Sequence, residues 1–220
     1  MRVVIAGGHG QIALLLEEQL ARAGHQGVGV VRNPDHVPDL ERAGAEGVVL
    51  DLEDTTVDDL AKVVAGADAV VFAAGGGPSS GPARKQTVDR DAAVLLADAA
   101  EAAGVRRYLM VSSMGAEGVD LAAPAPSEED VFAVYLRAKA EADADLAARD
   151  LDTTIVRPGR LTDVAGTGSI TLDPASQPRE TPRADVAATL VAALSEPATI
   201  GASFAVLTGP TPIAEALRRP

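Results

Sequence analysis

The 220-residue sequence has no cysteine and no tryptophan, and only three phenylalanines and two tyrosines. Without cysteine there is no disulfide and no thiolate nucleophile, a composition that fits a reducing compartment. The core has to be assembled from Val, Leu, Ile and Ala. Positive charge is the next scarcity, since 19 Lys and Arg stand against 32 Asp and Glu, a net charge of −13. Nucleic acid and anionic membrane both require a basic patch to neutralise phosphate, so neither is an expected partner. No apolar run approaches the roughly 18 residues of a membrane helix, and no charged-then-apolar segment precedes the first strand, so a cytoplasmic location is expected. Linkers, internal repeats and low-complexity stretches are missing too. The chain reads as one domain over 1–220, with residues 157–220 supplying a small substrate-side part.

What is present begins at the N-terminus. Arg2 to Ala6 is a short β-branched run without polar alternation, as expected of a strand buried on both faces of a parallel sheet. Gly7, Gly8 and Gly10 follow at once, and from Gln11 apolar residues recur at Ile12, Leu15, Leu16 and Leu20, predicting a helix that stops at Gly24. A helix N-terminus presents unpaired N–H groups and partial positive charge, and residues without side chains let a diphosphate approach the backbone. Gly-x-x-Gly-x-x-Ala at positions 7, 10 and 13 has the strand-then-helix context that a dinucleotide cradle requires. The bland alternative is a tight strand-to-helix turn that binds nothing. His9 is either a donor to phosphate or a solvent-facing loop histidine.

Gly27 to Val31 predicts a second strand ending in Arg32-Asn33. An acid there would hold a ribose 2′-hydroxyl, whereas an arginine can pair with a 2′-phosphate, so NADP is expected over NAD. The competing reading of Arg32 is an unengaged surface arginine. Glu46 to Leu50 predicts a third strand that delivers Asp51 and Leu52 to the adenine end, unless Asp51 serves only as a turn-former. Asp68 to Phe72 predicts a fourth strand running into Ala73, Ala74 and three glycines, 75 to 77, which suggest backbone passing close to a ligand. A long helix is expected from Arg84 to Ala103, and a fifth strand from Arg107 to Val111 ending in Ser112-Ser113. Ser127 to Asp130 fits a capping box ahead of a helix carrying Tyr135 and Lys139. Thr153 to Val156 is a sixth strand, interrupted at Arg157-Pro158-Gly159. Residues 163–181 read as a polar flap, Ala184 to Leu194 as a last long helix and Ser203 to Leu207 as an edge strand. Strands alternating with helices predict an α/β, doubly wound parallel sheet of the Rossmann type, order 3-2-1-4-5-6, with helices on both faces.

Tyr135 and Lys139 lie four apart and share a helix face. A phenol with an ordinary pKa near ~10 is a poor base at neutral pH, and a neighbouring ammonium favours its ionised form. Ser113 can hold a substrate oxygen while Tyr135 moves the proton. Tyr-x-x-x-Lys alone is a weak pattern. Order strengthens it: glycine loop, then serines at a strand end, then Tyr and Lys on the next helix. No metal-ligating set is expected.

With these residues in hand, the chain resembles the short-chain dehydrogenase/reductase superfamily, specifically its small atypical NAD(P)-binding and sugar-nucleotide epimerase-like members. The likeness spans essentially all of the chain and rests on Ala6 to Ala13, Val31-Arg32, Asp51-Leu52, Ala73 to Gly75, Val111 to Ser113, Tyr135 with Lys139, and Thr154 to Gly159. It implies a Ser-Tyr-Lys triad at Ser113, Tyr135 and Lys139, with Ser112 the alternative serine, and a nicotinamide lined by Pro158, Gly159 and Leu161. Only 62 residues follow Pro158, so the larger substrate domain of true epimerases is absent. Arg183 to Ala187 resembles another family segment and is assigned to packing. The resemblance implies hydride transfer to or from a carbonyl or carbinol of a small-molecule substrate. Some relatives are instead NADP(H)-binding redox-sensing regulators, and a vestigial scaffold is the third possibility. A monomer or homodimer is expected.

Overall fold

The computed structural model describes residues 1–77 and 79–220. Pro78, which ends the glycine run, lies outside the described residues. The apolar runs become the strands β1 Arg2–Ala6, β2 Gln26–Val31, β3 Glu46–Val49, β4 Ala69–Phe72, β5 Arg107–Val111 and β6 Asp152–Pro158. They pair in the order β3-β2-β1-β4-β5-β6, every neighbouring pair parallel, as expected. Successive side chains leave opposite faces of such a sheet. Val3 and Ile5 of β1 accordingly join one core with α1 Gln11–Arg22 and a later helix, Arg183–Leu194, while Val4 and Ala6 join the other. That second core is closed by α3 Val57–Val64, by Ala92–Ala102 and by Val131–Ala147; the short α2 Val37–Arg42 covers the β2–β3 edge.

Four expectations change. The long helix after β4 is composite: α4 Pro82–Arg84, a π-helical turn Lys85–Asp91, then α5 Ala92–Ala102. The wide turn brings Lys85, Val88 and Asp89 to the buried side together, which periodicity of apolar residues alone does not reveal. The helix α6 Val131–Ala147 is capped by Asp130, whose Oδ1 accepts from Ala133 N at 2.9 Å, so Ser127 caps only the preceding turn. Strand β6 is not interrupted at Arg157 but runs through Pro158, whose carbonyl accepts from Met114 N.

The fourth change is the largest. Residues 163–181, read as a polar flap, contain regular structure. Beyond β7 Arg160–Thr162 they supply β8 Ser169–Thr171 and the start of β9 Glu180–Pro182, and β7 and β9 pair with each other. The strand β10 Ala202–Thr208 is not an edge. It lies parallel to β6 and antiparallel to β8, which in turn carries β11 Thr211–Pro212, so among the described residues the sheet has nine strands. The helices α7 Arg183–Leu194 and α8 Ile213–Ala216 complete the chain. No helix of the described residues is long and apolar enough to cross a membrane.

Candidate nucleotide and active site

The loop between β1 and α1 is tied to the sheet before anything binds: Gly7 N and Gly8 N both donate to Val30 O, and Gly10 N donates to Gly7 O. Gly7 has φ +84°, and a Cβ there would stand 2.5 Å from Ala74 Cα. Gly8 is equally confined, a Cβ meeting Gly29 Cα at 2.7 Å. Gly10 is the N-cap of α1 and supplies no side chain; the first turn contains no acid. The first helical bond runs from Leu14 N to Gly10 O, so the N–H groups of Gln11, Ile12 and Ala13 have no helical acceptor. An uncapped helix start behind backbone that tolerates no Cβ is the chemistry a diphosphate requires.

From this loop a cleft of about 260 Å³ extends across the ends of β2, β3 and β4. It brings together Gly7, His9, Gly10, Arg32, Asp51, Leu52, Ala73, Ala74 and Gly75. His9 is partly exposed and already engaged: Nε2 lies 2.7 Å from Asp39 Oδ2, and the ring stacks on His36 at 3.6 Å. Asn33 accepts from Asp35 N with its side chain, and Asp51 does the same for Glu53 N, so both also shape their turns.

Arg32 is 54% exposed at its side chain and lies 3.5 Å from Glu53. Glu53 also accepts from Arg84 Nη2 at 2.8 Å and from Thr87 Oγ1 at 2.7 Å. The Arg84 hydrogen bond is the largest influence on the Glu53 carboxyl and, with Thr87 and the charges of Arg84 and Arg32, holds it below the usual carboxylate range against the opposing effect of burial, the second largest. Glu53 and Arg84 were not foreseen, because they are 31 residues apart and nothing in spacing joins them.

At the other end, Lys139 is 3% exposed, with Nζ 3.1 Å from Val111 O and 3.4 Å from Asp89 Oδ1. That bond fixes α6 against the end of β5, two residues before Ser113. Asp89 was also missed; its other oxygen accepts from Gly76 N. Tyr135 is half-buried on the same helix, 5.5 Å from Lys85 Nζ and 6.0 Å from the Phe132 ring. Ser112 Oγ donates to Asp143 Oδ2 at 2.9 Å, and Arg157 holds the same carboxylate at 3.0 Å. Burial raises the Asp143 carboxyl, with Arg157 and Ser112 opposing the shift. Among the described residues, Ser113 Oγ donates only to its neighbour's carbonyl, Met114 O. Gly159 N donates to Val206 O and Thr181 Oγ1, and Leu161 lies in β7 against the first core. Among the described residues no three His, Asp or Glu side chains are grouped to hold a metal.

These features agree with what the chain resembles. The model of a family described as NAD(P)H-binding matches residues 7–197. A protein of Bacillus subtilis (strain 168) called uncharacterized sugar epimerase YhfK is 35% identical over the full length of both chains. A Bacillus halodurans structure, solved as a candidate NAD-dependent epimerase/dehydratase, superposes with TM-score 0.87 and 36% identity, covering 99% of this chain and 98% of that one. The oxidoreductase ylbE from Lactococcus lactis superposes with TM-score 0.84 and 29% identity over 99% and 95%. By the extent of the family match and the full-length identity, this chain belongs to the NAD(P)H-binding family.

Proposed function

We propose that the protein is an NADP-dependent oxidoreductase or epimerase-like enzyme that transfers hydride to or from a carbonyl or carbinol carbon. Bound NADP(H) supplies or accepts the hydride. The diphosphate would rest on the backbone of Gly7, Gly8, Gly10, Gln11 and Ile12, with His9 beside it. Arg32 and Asn33 would meet the 2′-phosphate, Asp51 and Leu52 the adenine, and Ala73 to Gly75 the adjoining ribose. Val111, Ser112, Lys139, Pro158, Gly159 and Leu161 would line the nicotinamide end. Ser113 holds the substrate oxygen, Tyr135 gives a proton to the carbonyl oxygen or takes it from the carbinol, and Lys139 orients the nicotinamide ribose.

The observation that carries this reading is the Lys139 bond to Val111 O. It seats the helix bearing Tyr135 on the strand whose end bears Ser113. The ion pair of Lys139 with Asp89 favours a second reading, an NADP(H)-binding redox-sensing regulator without turnover, because the ammonium charge is already compensated.

One experiment separates them: titrate the purified protein with NADPH and NADH side by side, then assay a carbonyl panel with the wild type and Tyr135→Phe. Tighter NADPH binding and a roughly 10²- to 10⁴-fold lower kcat in the variant are expected. Full turnover by Tyr135→Phe removes Tyr135 from the mechanism, tighter NADH binding removes Arg32 from phosphate recognition, and binding without any turnover selects the regulator.

A further inference from the structure

Two buried lysines flank Tyr135, and they are treated differently. Lys139 has a carboxylate, Asp89, and a carbonyl. Lys85 is 6% exposed, and among the described residues its Nζ has one hydrogen-bond acceptor, Gly77 O at 2.6 Å, and no ion pair. An ammonium offers three donors, so two are left over among the described residues. Arg107, also buried without a carboxylate in hydrogen-bond reach, shows the usual compensation: it donates to Asp152 O, Ala193 O and Thr199 Oγ1. A buried charge with so little compensation is unfavourable unless something charged meets it.

We propose that Lys85 holds an anionic substituent, a carboxylate or a phosphate, of the substrate on which Tyr135 acts; this rests on the reading of Tyr135 given above. Three features converge. The ammonium lies on the face of the Tyr135 ring, 5.5 Å from its centroid. The buried carboxylate of the same π-helical turn, Asp89, is already committed to Lys139 and Gly76 N. Its chain neighbours Arg84 and Val88 line the nucleotide cleft, whereas Lys85 is not among the residues that line it. Phe132, 64% exposed and 6.0 Å from Tyr135, offers an apolar face to the rest of the same molecule. A lysine serves carboxylate and phosphate alike as a point charge.

The test uses a matched pair differing only in the anion, 2-oxo-4-phenylbutanoate and 4-phenylbutan-2-one, titrated calorimetrically into the protein saturated with NADP⁺. The acid is expected to bind about tenfold or more tighter than the ketone, the factor one charge-assisted hydrogen bond supplies. That preference disappears in Lys85→Met and persists in Lys85→Arg, with circular dichroism and Tm reporting that both variants fold. Equal affinity for acid and ketone, no binding of either, or a preference unchanged in Lys85→Met overturns the proposal. So does a Lys85→Met variant that loses affinity for NADP⁺ itself, which would assign the anion to the cofactor. Failure of the wild type to take up NADP⁺ in the first step overturns the reading of the site as well, a result distinct from any of these.

Discussion

At the scale of single residues, Glu17 ties stability to pH. It is fully buried in the middle of α1, and among the described residues neither carboxyl oxygen has a hydrogen-bond partner. Its space is made by glycines: a Cβ on Gly29 would lie 2.4 Å from Glu17 Oε1, and one on Gly8 3.1 Å. Burial pushes its carboxyl up to about 8 from an ordinary 4.5. The folded state therefore keeps a proton that the unfolded chain has released, and stability falls as pH rises from about 4.5 to about 8. The slope approaches about 1.4 kcal/mol per pH unit inside that window. Glu17→Met, unbranched and of similar length, should flatten that part of the profile and be more stable than wild type at pH 8, as read by urea unfolding at several pH values. Identical profiles would mean that the carboxyl finds a partner. None of this is legible in sequence, where Glu17-Glu18 looks like the wet face of an amphipathic helix. Gly7 and Gly10 are legible because the residues around them form a known spacing. Lys85 and Asp89 are not, since a π turn gives no apolar period by which to place them.

Among elements, the segment between β7 and β9 shows how a stretch rich in Gly and polar residues becomes ordered. Asp185, in the first turn of α7, is 2% exposed and accepts from Thr167 N at 3.0 Å and Gly168 N at 2.9 Å. The segment resembling the family at Arg183 to Ala187 thus anchors the chain that leads into β8. Asp185→Ala leaves those two N–H groups without their acceptor and is expected to destabilise the protein by about 2–4 kcal/mol. Hydrogen exchange should speed up first at Thr167 and Gly168. Protection unchanged at those two amides would show that β8 holds the segment without Asp185. The strands β8 and β9 are three residues each, too short to show any alternation, and β10 carries the same apolar run whether edge or interior. That is why the first six strands are readable in order and the rest of the sheet is not.

For the whole molecule, the excess of acid sets a contest between net repulsion and local attraction. Exposed pairs such as Arg106 with Asp150, and the cluster of Arg149 with Asp98, Glu101 and Asp145, lose strength in salt; the repulsion among the remaining carboxylates is screened as well. With a net charge of −13 the repulsive part dominates. Raising salt from 10 to 100 mM, which shortens the screening length from about 30 to about 10 Å, should therefore raise Tm by a few degrees, about 1 kcal/mol for a chain of this size. A falling Tm would show that the ion pairs outweigh the repulsion. Charge balance and strand order were both open to inspection in the sequence; the proposed substrate end was not, because the residues assigned to it come from α4, the π turn, α6 and β7, whose mutual placement no spacing encodes.

The burial of Tyr108, whose hydroxyl donates to Ala93 O deep beneath α5, has an optical consequence. With no indole in the chain and one of its two phenols sealed from solvent, direct contact of a colourless compound with a tyrosine ring is read in the near ultraviolet at Tyr135, the phenol that is not sealed. The protein thus carries a native, label-free reporter at the spot where ligands are expected to arrive.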